Sequence, residues 1–285
     1  MQETRQVPDF FCLGAPRAGT TWLFEWLHQH PEVCIPQKEI HFFIKSHGRD
    51  YFLEEGLDWY LNLFSVAEDK QILGDVAAGY LRSEDARKRI LSVAPNAKMI
   101  VMLRNPVERF WSDYQYCLAN RSFNGGFEEF MNSPQGERAL ADGLYFKQIS
   151  EWLKLYPKHN FHFVILDDVN SARQREINKV CDFLGVSHFL PRNTEKRVNE
   201  AKRTRFIWFA RLYHKAADAV LRYNLSFLRR WFRALGGKKI YFYLNKSNQK
   251  AALIGEFEKC ILNDFYRGDV RELGVLLGRD LSHWK

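Results

Sequence analysis

Gly14-Ala15-Pro16-Arg17-Ala18-Gly19-Thr20-Thr21 is the stretch on which the reading of the fold turns. It follows a short apolar run, Phe10-Phe11-Cys12-Leu13, that reads as a buried strand, and it opens a helical pattern over residues 22–28. In a turn of this kind successive backbone N–H groups converge on one spot, and the helix dipole adds partial positive charge there. A phosphate fits that concavity. Gly19 allows close backbone approach, Thr20 and Thr21 offer hydroxyls, and Arg17 brings a cation. The spacing is close to a Walker A loop, GxxxxGK[ST], but Thr20 stands where the lysine belongs and the cation has moved back to Arg17. Nucleotide kinases and NTPases use that lysine on the β/γ-phosphates and their Ser/Thr on magnesium. This loop therefore points to a phosphate held with less dependence on metal.

Around the loop, β-rich apolar runs alternate with helical patterns. Residues 71–73 are strand-like and lead into Gly74-Asp75, and residues 87–93 look helical. Lys98-Met99-Ile100-Val101-Met102-Leu103 is apolar on both faces, as buried parallel strands are. Asn105 and Pro106 then start a helix to about residue 117, with Asn as cap and Pro at the first position. A strand over residues 161–166 precedes a helix over 173–184 that Gly185 closes. This order predicts a P-loop-like three-layer α/β/α fold with a central parallel sheet and a helical C-terminal part, in one domain over residues 1–285.

A second anion site follows from the same logic. Arg104 stands at the C-terminal end of the strand 98–103, where open α/β sheets bind ligands, and a guanidinium matches a phosphate bidentately. Ser112 falls about two turns into the next helix and can aim a hydroxyl at the same anion. Two anion sites on neighbouring strand ends suit a nucleotide phosphorylated at both its 5′ and 3′ positions.

Composition sets the outer bounds. The 285 residues are 46% hydrophobic and 27% charged, which excludes a disordered or low-complexity chain. The net charge of +8 suits an anionic partner. Five scattered cysteines without a CxxC pair argue against a disulfide scaffold or zinc knuckle, and no His/Cys/Asp spacing calls for a metal. The polar stretch 1–9 lacks the apolar core of a signal peptide, and no apolar run approaches the roughly 20 residues of a membrane span, so a cytoplasmic protein is expected. Between residues 201 and 240 stand eleven basic residues and one acid, Asp218, with apolar residues at near-helical spacing. That basic amphipathic segment reads as packed helices, as a lid over an acceptor pocket, or as peripheral contact with an anionic membrane surface. Nucleic acid is not expected, because no nucleic-acid-binding motif accompanies the charge.

With both phosphate segments in view, the chain resembles the sulfotransferases that use 3′-phosphoadenosine 5′-phosphosulfate (PAPS). Their 5′-phosphosulfate loop reads P-[KR]-x-G-T-T-x-[LW], and residues 16–23 read PRAGTTWL. Their 3′-phosphate signature is a strand ending in Arg, then Asn/Asp-Pro, then a Ser eight residues after the Arg; Arg104, Asn105-Pro106 and Ser112 stand at those positions. Gln37-Lys38-Glu39-Ile40-His41-Phe42-Phe43 is similar to the KExHFF motif of the bacterial and glycan-modifying branch. Gly74-Asp75-Val76-Ala77-Ala78-Gly79-Tyr80 is similar to that branch's G-E-x-[ST]-P-x-Y, with Asp for Glu and the Ser/Thr-Pro pair lost. Some heparan sulfotransferases carry a substrate-side lysine where this chain has Val76, which weighs against a heparan-like acceptor. Residues 278–284, GRDLSHW, resemble the branch's C-terminal ending.

The resemblance implies transfer of a sulfuryl group from PAPS to a hydroxyl or amine, with release of 3′,5′-ADP and no metal. Glu39 aligns with the catalytic glutamate and is expected to be the general base. His41 is the rival base or an orienting hydrogen-bond donor. Arg17 is expected on the 5′-phosphate and the transferring sulfonate, with Ala18, Gly19, Thr20 and Thr21 completing the cradle. Trp22 aligns with a tryptophan that flanks adenine, and Arg203, with Lys202 and Arg205, is a candidate for a late basic loop over the 3′-phosphate. The acceptor stays open among a glycan, a lipid and a small hydroxylated molecule. The competing readings are a P-loop nucleotide kinase or NTPase, and a non-catalytic nucleotide-binding protein.

Overall fold

The structure, a computed structural model, describes residues 7–46, 48–69, 71–190 and 253–284. They form two compact units: residues 7–110, 138–190 and 256–284 in the first, and residues 111–137 with 253–255 in the second.

The first unit is built on five strands: β1 (Phe10–Gly14), β2 (Val33–Cys34), β3 (Ile72–Val76), β4 (Lys98–Leu103) and β5 (Phe161–Ile165). They make one parallel sheet in the order β2-β3-β1-β4-β5. Helices flank it as three layers, which is why β1 is buried along its whole length and β4 after Lys98. Cys12 of β1 lies in register with Val76 on one side and Ile100 on the other. The strand at β3 runs further than expected: β1 continues to pair through Gly74 and Asp75 to Val76, which carries a carboxylate into the sheet.

Helix α1 (Thr20–Leu27) starts two residues before the expected stretch, because Gly19 takes the cap position. Short helices α2 (Tyr51–Glu54) and α3 (Gly56–Asn62) precede β3, and α4 (Glu84–Val93) begins at Ser83, whose hydroxyl accepts from the Ala86 N–H at 3.1 Å. Helix α5 (Pro106–Ala119) has the expected cap, Asn105 Oδ1 accepting from the Val107 N–H at 2.9 Å. After β5 the chain turns at once into α9 (Leu166–Leu184), interrupted at Ala172 with φ −143°, so the expected helix 173–184 is its second half; Gly185, at φ 81°, closes it. Two further helices of this unit, α8 (Tyr145–Leu153) and α10 (Glu256–Leu277), are joined by Asp269, which accepts from the Phe146 N–H at 2.9 Å and the Lys147 N–H at 3.1 Å.

The second unit, where α6 (Phe127–Met131) lies, has its own aromatic cluster. Phe130 packs on Tyr114 at 5.0 Å and on Phe123 at 5.1 Å between ring centroids, and the Tyr114 hydroxyl donates to Gly125 O at 3.0 Å. The boundary between the units falls within α5 and again within α7 (Pro134–Asp142). The basic segment 201–240 lies outside the described residues.

Candidate active site

After β1 the chain builds the sheet toward β3 and β2, and after β3 it crosses to the other side of β1 to lay down β4 and β5. The turns following β1 and β4 therefore leave the carboxyl edge at the point where the strand order reverses, the usual place for a ligand crevice in such sheets.

Glycine decides the first of these turns. Gly14 adopts φ 140°, and a Cβ placed on it would lie 2.6 Å from the Ala78 carbonyl oxygen, so the strand end can approach the chain after β3 only without a side chain. The turn is tied to β4 by the Ala15 N–H, which donates to Met102 O at 2.8 Å, and it folds back through the Ala18 N–H to Ala15 O at 3.2 Å. Ala18 is fully buried. Arg17 and Gly19 both take left-handed backbone angles, φ 64° and 99°. The Leu23 N–H reaches back to Gly19 O at 3.2 Å, leaving the amides of Thr20, Thr21 and Trp22 as the first-turn donors of α1, which have no carbonyl partner inside the helix. Thr20 is buried, and Trp22 is half-buried against the core.

At the second turn, Arg104 leaves β4. The Tyr145 hydroxyl donates to its carbonyl at 2.9 Å. Its guanidinium donates from Nη1 to Arg17 O at 3.4 Å, and from Nε and Nη2 to Glu108 Oε2 at 3.2 and 3.0 Å. The two arginines expected to hold two phosphates are thus neighbours.

The motif at residues 37–43 crosses the carboxyl end of β3. Lys38 bridges Val76, and the Glu39 N–H donates to Val76 O at 2.8 Å. Glu39 and His41 both lie at positive φ, 57° and 58°, which non-glycine residues hold only where their surroundings impose it, often at functional sites. The Glu39 carboxylate is gripped from three sides. The Lys38 ammonium meets Oε1, while His41 Nε2 and the Ala78 N–H each lie 3.2 Å from Oε2. Ala78 therefore approaches the start of the turn at 14–19 with its carbonyl and Glu39 with its amide. The turn spans both features: Gly14 leads through Ala78 to Glu39, and Arg17 leads to Arg104.

Residues 7–207 match the family model described as "Sulfotransferase domain". The chain belongs to this family.

Among its relatives are two human enzymes. Heparan sulfate glucosamine 3-O-sulfotransferase 3B1 is 31% identical over 194 residues, 66% of this chain and 48% of that protein; heparan sulfate glucosamine 3-O-sulfotransferase 6 is 33% identical over 188 residues, 64% and 53% respectively. The chain spans about half the length of these curated relatives. Two solved structures share the fold. A sulfotransferase from Alicyclobacillus acidocaldarius superposes with a TM-score of 0.69 at 23% identity, covering 98% of this chain and 99% of that one. The sulfotransferase domain from the curacin biosynthetic pathway gives 0.52 at 18%, covering 66% and 77%.

In this member of the family the structure brings together Arg17, Ala18, Gly19 and Thr20 with Arg104 around one turn, and Glu39 with His41 beside its start. Thr21 and Trp22 complete the first turn of α1. Ser112 lies half-buried on α5 but belongs to the second unit, so its part rests on the sequence motif. Arg203 lies outside the described residues. Val76, in place of a substrate-side lysine, is fully buried. Among the described residues no cluster of His, Cys, Asp and Glu is arranged to hold a metal ion, and no helix is long and apolar enough to cross a membrane.

Sequence reasoning gave no role to the groups behind the front residues. Tyr145 holds the carbonyl of Arg104. Asp75 is fully buried, its Oδ2 accepting from the Tyr60 hydroxyl at 2.9 Å and the Tyr80 hydroxyl at 2.8 Å. Burial pushes its carboxyl up to about 7, against the pull of the two tyrosine bonds, and the Glu39 charge adds to the rise. A carboxylate inside an apolar strand is the signal that could have flagged it.

Proposed function

We propose that this chain transfers a sulfuryl group from PAPS to a hydroxyl or amine of an acceptor and releases 3′,5′-ADP, with Glu39 as general base. The observation that carries the reading is the single turn at 14–19, with Glu39 held beside one end and Arg104 against the other. The glycine turn and the free first-turn amides of α1 fit a phosphosulfate, and the guanidinium of Arg104 fits a second phosphate.

Bound there, PAPS supplies an activated sulfuryl group on a 5′-phosphate that leaves as an anion. Glu39 takes the proton of the acceptor as the acceptor oxygen or nitrogen bonds to sulfur and the sulfur–oxygen bond to the phosphate breaks. Arg17 and the α1 amides offset the negative charge that builds on the departing phosphate oxygen. His41, 3.2 Å from Glu39 Oε2, and Lys38 on Oε1 fix the carboxylate in one orientation. Arg104 grips the 3′-phosphate.

Two named relatives act on heparan sulfate glucosamine, which favours a glycan among the acceptor classes. Buried Val76, where some heparan enzymes place a lysine, favours a glycan other than heparan, a lipid or a small hydroxylated molecule. The kinase or NTPase reading is disfavoured by Thr20 at the lysine position. The test is thermal shift with 3′,5′-ADP, 5′-ADP and ATP, each with and without magnesium. The largest shift is expected from 3′,5′-ADP, unchanged by magnesium. Equal shifts from 5′-ADP, or a shift by ATP that needs magnesium, would overturn the reading.

A further inference from the structure

The segment carrying Glu39 and His41 adopts a backbone that its own residues do not favour, φ 57° and 58°. Something must hold it. The residues that follow are Phe42 and Phe43, both fully buried. Phe42 stacks on the Tyr60 ring at 4.3 Å and an interplanar angle of 10°. Phe43 meets Tyr60 edge-on at 5.1 Å and Tyr80 edge-on at 5.9 Å. Tyr60 comes from α3 and Tyr80 from the turn after β3, and their hydroxyls converge on one oxygen, Asp75 Oδ2. A clamp of two rings is closed at its far end by a single buried carboxyl.

We propose that Asp75 is a positioning residue for the base: by accepting from Tyr60 and Tyr80 it locks the rings that grip Phe42 and Phe43, and so holds Glu39 and His41 in place. The idea rests on the reading of Glu39 as base and deepens it. The carboxyl is poorly suited to a purely packing role. It is fully buried, its Oδ1 has no hydrogen-bond partner among the described residues, and an apolar side chain of similar size would fill the strand position without that cost. Oδ2 instead satisfies two buried phenols that an apolar residue would orphan. The same strand end is also wired directly to the base. Val76, the next residue, accepts from the Glu39 N–H, and Ala78, two residues further, donates to the Glu39 carboxylate. A shift of Asp75 or of either ring therefore reaches Glu39 by two routes, through the phenylalanines and through β3.

The test compares Asp75→Ala with Asp75→Asn, whose amide oxygen still accepts from both hydroxyls. Hydrogen exchange is read without nucleotide over residues 38–44, 76–80 and, as an internal reference, 14–22. In Asp75→Ala, exchange over 38–44 and 76–80 is expected to rise by about ten- to a hundredfold, the loss expected when buried donors are orphaned, with 14–22 unchanged. The affinity for 3′,5′-ADP should stay within about threefold of wild type, since no nucleotide contact is touched, while Asp75→Asn should restore protection. Retained protection at 38–44 in Asp75→Ala, loss of protection at 14–22 to the same degree, or no rescue by Asp75→Asn would each overturn the proposal. If Asp75→Ala does not fold, Tyr60→Phe and Tyr80→Phe take its place: raised exchange confined to 38–44 and 76–80 supports the clamp, and unchanged exchange in both overturns it. Failure of the wild type to bind 3′,5′-ADP would count against sulfuryl transfer and leave the exchange result on the clamp intact.

Discussion

Arg104 donates from Nη1 to the backbone carbonyl of Arg17 at 3.4 Å, although 87 positions separate the two residues. This contact joins the turn after β1 to the turn after β4, and it sets the Arg104 guanidinium against the backbone of Arg17. A ligand with phosphate at only one end has no use for both.

Replacing Arg104 with Ala should therefore weaken 3′,5′-ADP by about ten- to a hundredfold, the usual worth of hydrogen bonds from a charged donor. Binding of 5′-ADP should change little. Titration calorimetry with both nucleotides checks this, and equal losses would remove the 3′-phosphate role.

Glu108 competes for the same guanidinium, at 3.0 Å from Nη2. The pair is an exposed i,i+4 ion pair, a kind worth only about 0.3–0.5 kcal/mol. Glu108→Gln should accordingly tighten 3′,5′-ADP by about twofold, through release of Arg104 and loss of a negative charge near the phosphate. Weaker binding in this variant would mean that Glu108 holds Arg104 in its working position.

Glu39→Ala should lower turnover of [35S]PAPS by about 10²–10⁴-fold, as loss of a general base does, with 3′,5′-ADP affinity close to wild type. His41→Ala should cost less if the imidazole orients the carboxylate 3.2 Å away. A Glu39→Ala enzyme with full activity would move the base to His41.

Asp75 ties stability to pH. Its carboxyl rises from 3.8 to about 7 in the fold because burial penalises the charged form. A raised pKa of this kind contributes stability that is fully present below about pH 4 and is lost as the pH climbs to about 7, since the unfolded chain ionises first. Asp75→Asn cannot ionise. Its stability relative to wild type should grow between about pH 4 and 7 and level off above, by an amount of at most on the order of 4 kcal/mol. Urea unfolding of both proteins across that range measures it, and a difference independent of pH would contradict the assignment.

Particular elements show why parts of this site were legible in the sequence. The strand over residues 98–103 and the Asn105-Pro106 cap stand in the structure at the expected positions, because burial on both faces and capping are local properties written into consecutive residues. The turn at 14–19 was legible for the same reason, since Gly14 and Gly19 answer backbone needs within eight residues. Residues 51–62 were not legible: α2 and α3 are only four and seven residues long, too short for a periodic pattern to stand out. The end of β3 was misjudged because Gly74 and Asp75 are poor strand residues that pairing with β1 nevertheless keeps in the sheet.

From the order of residues alone came the alternating architecture, the turn at 14–19 and Arg104 at a strand end, because each depends on neighbours along the chain; Glu39 was marked by the resemblance of residues 37–43 to a family motif. Tertiary structure decided the rest. It set Arg17 against Arg104, held Glu39 between Lys38, His41 and Ala78, and closed the Tyr60–Asp75–Tyr80 network behind them. The contacts of Arg17 with Arg104 and of Glu39 with Ala78 join residues 87 and 39 positions apart, and such partners follow from strand order and burial, which no local pattern encodes.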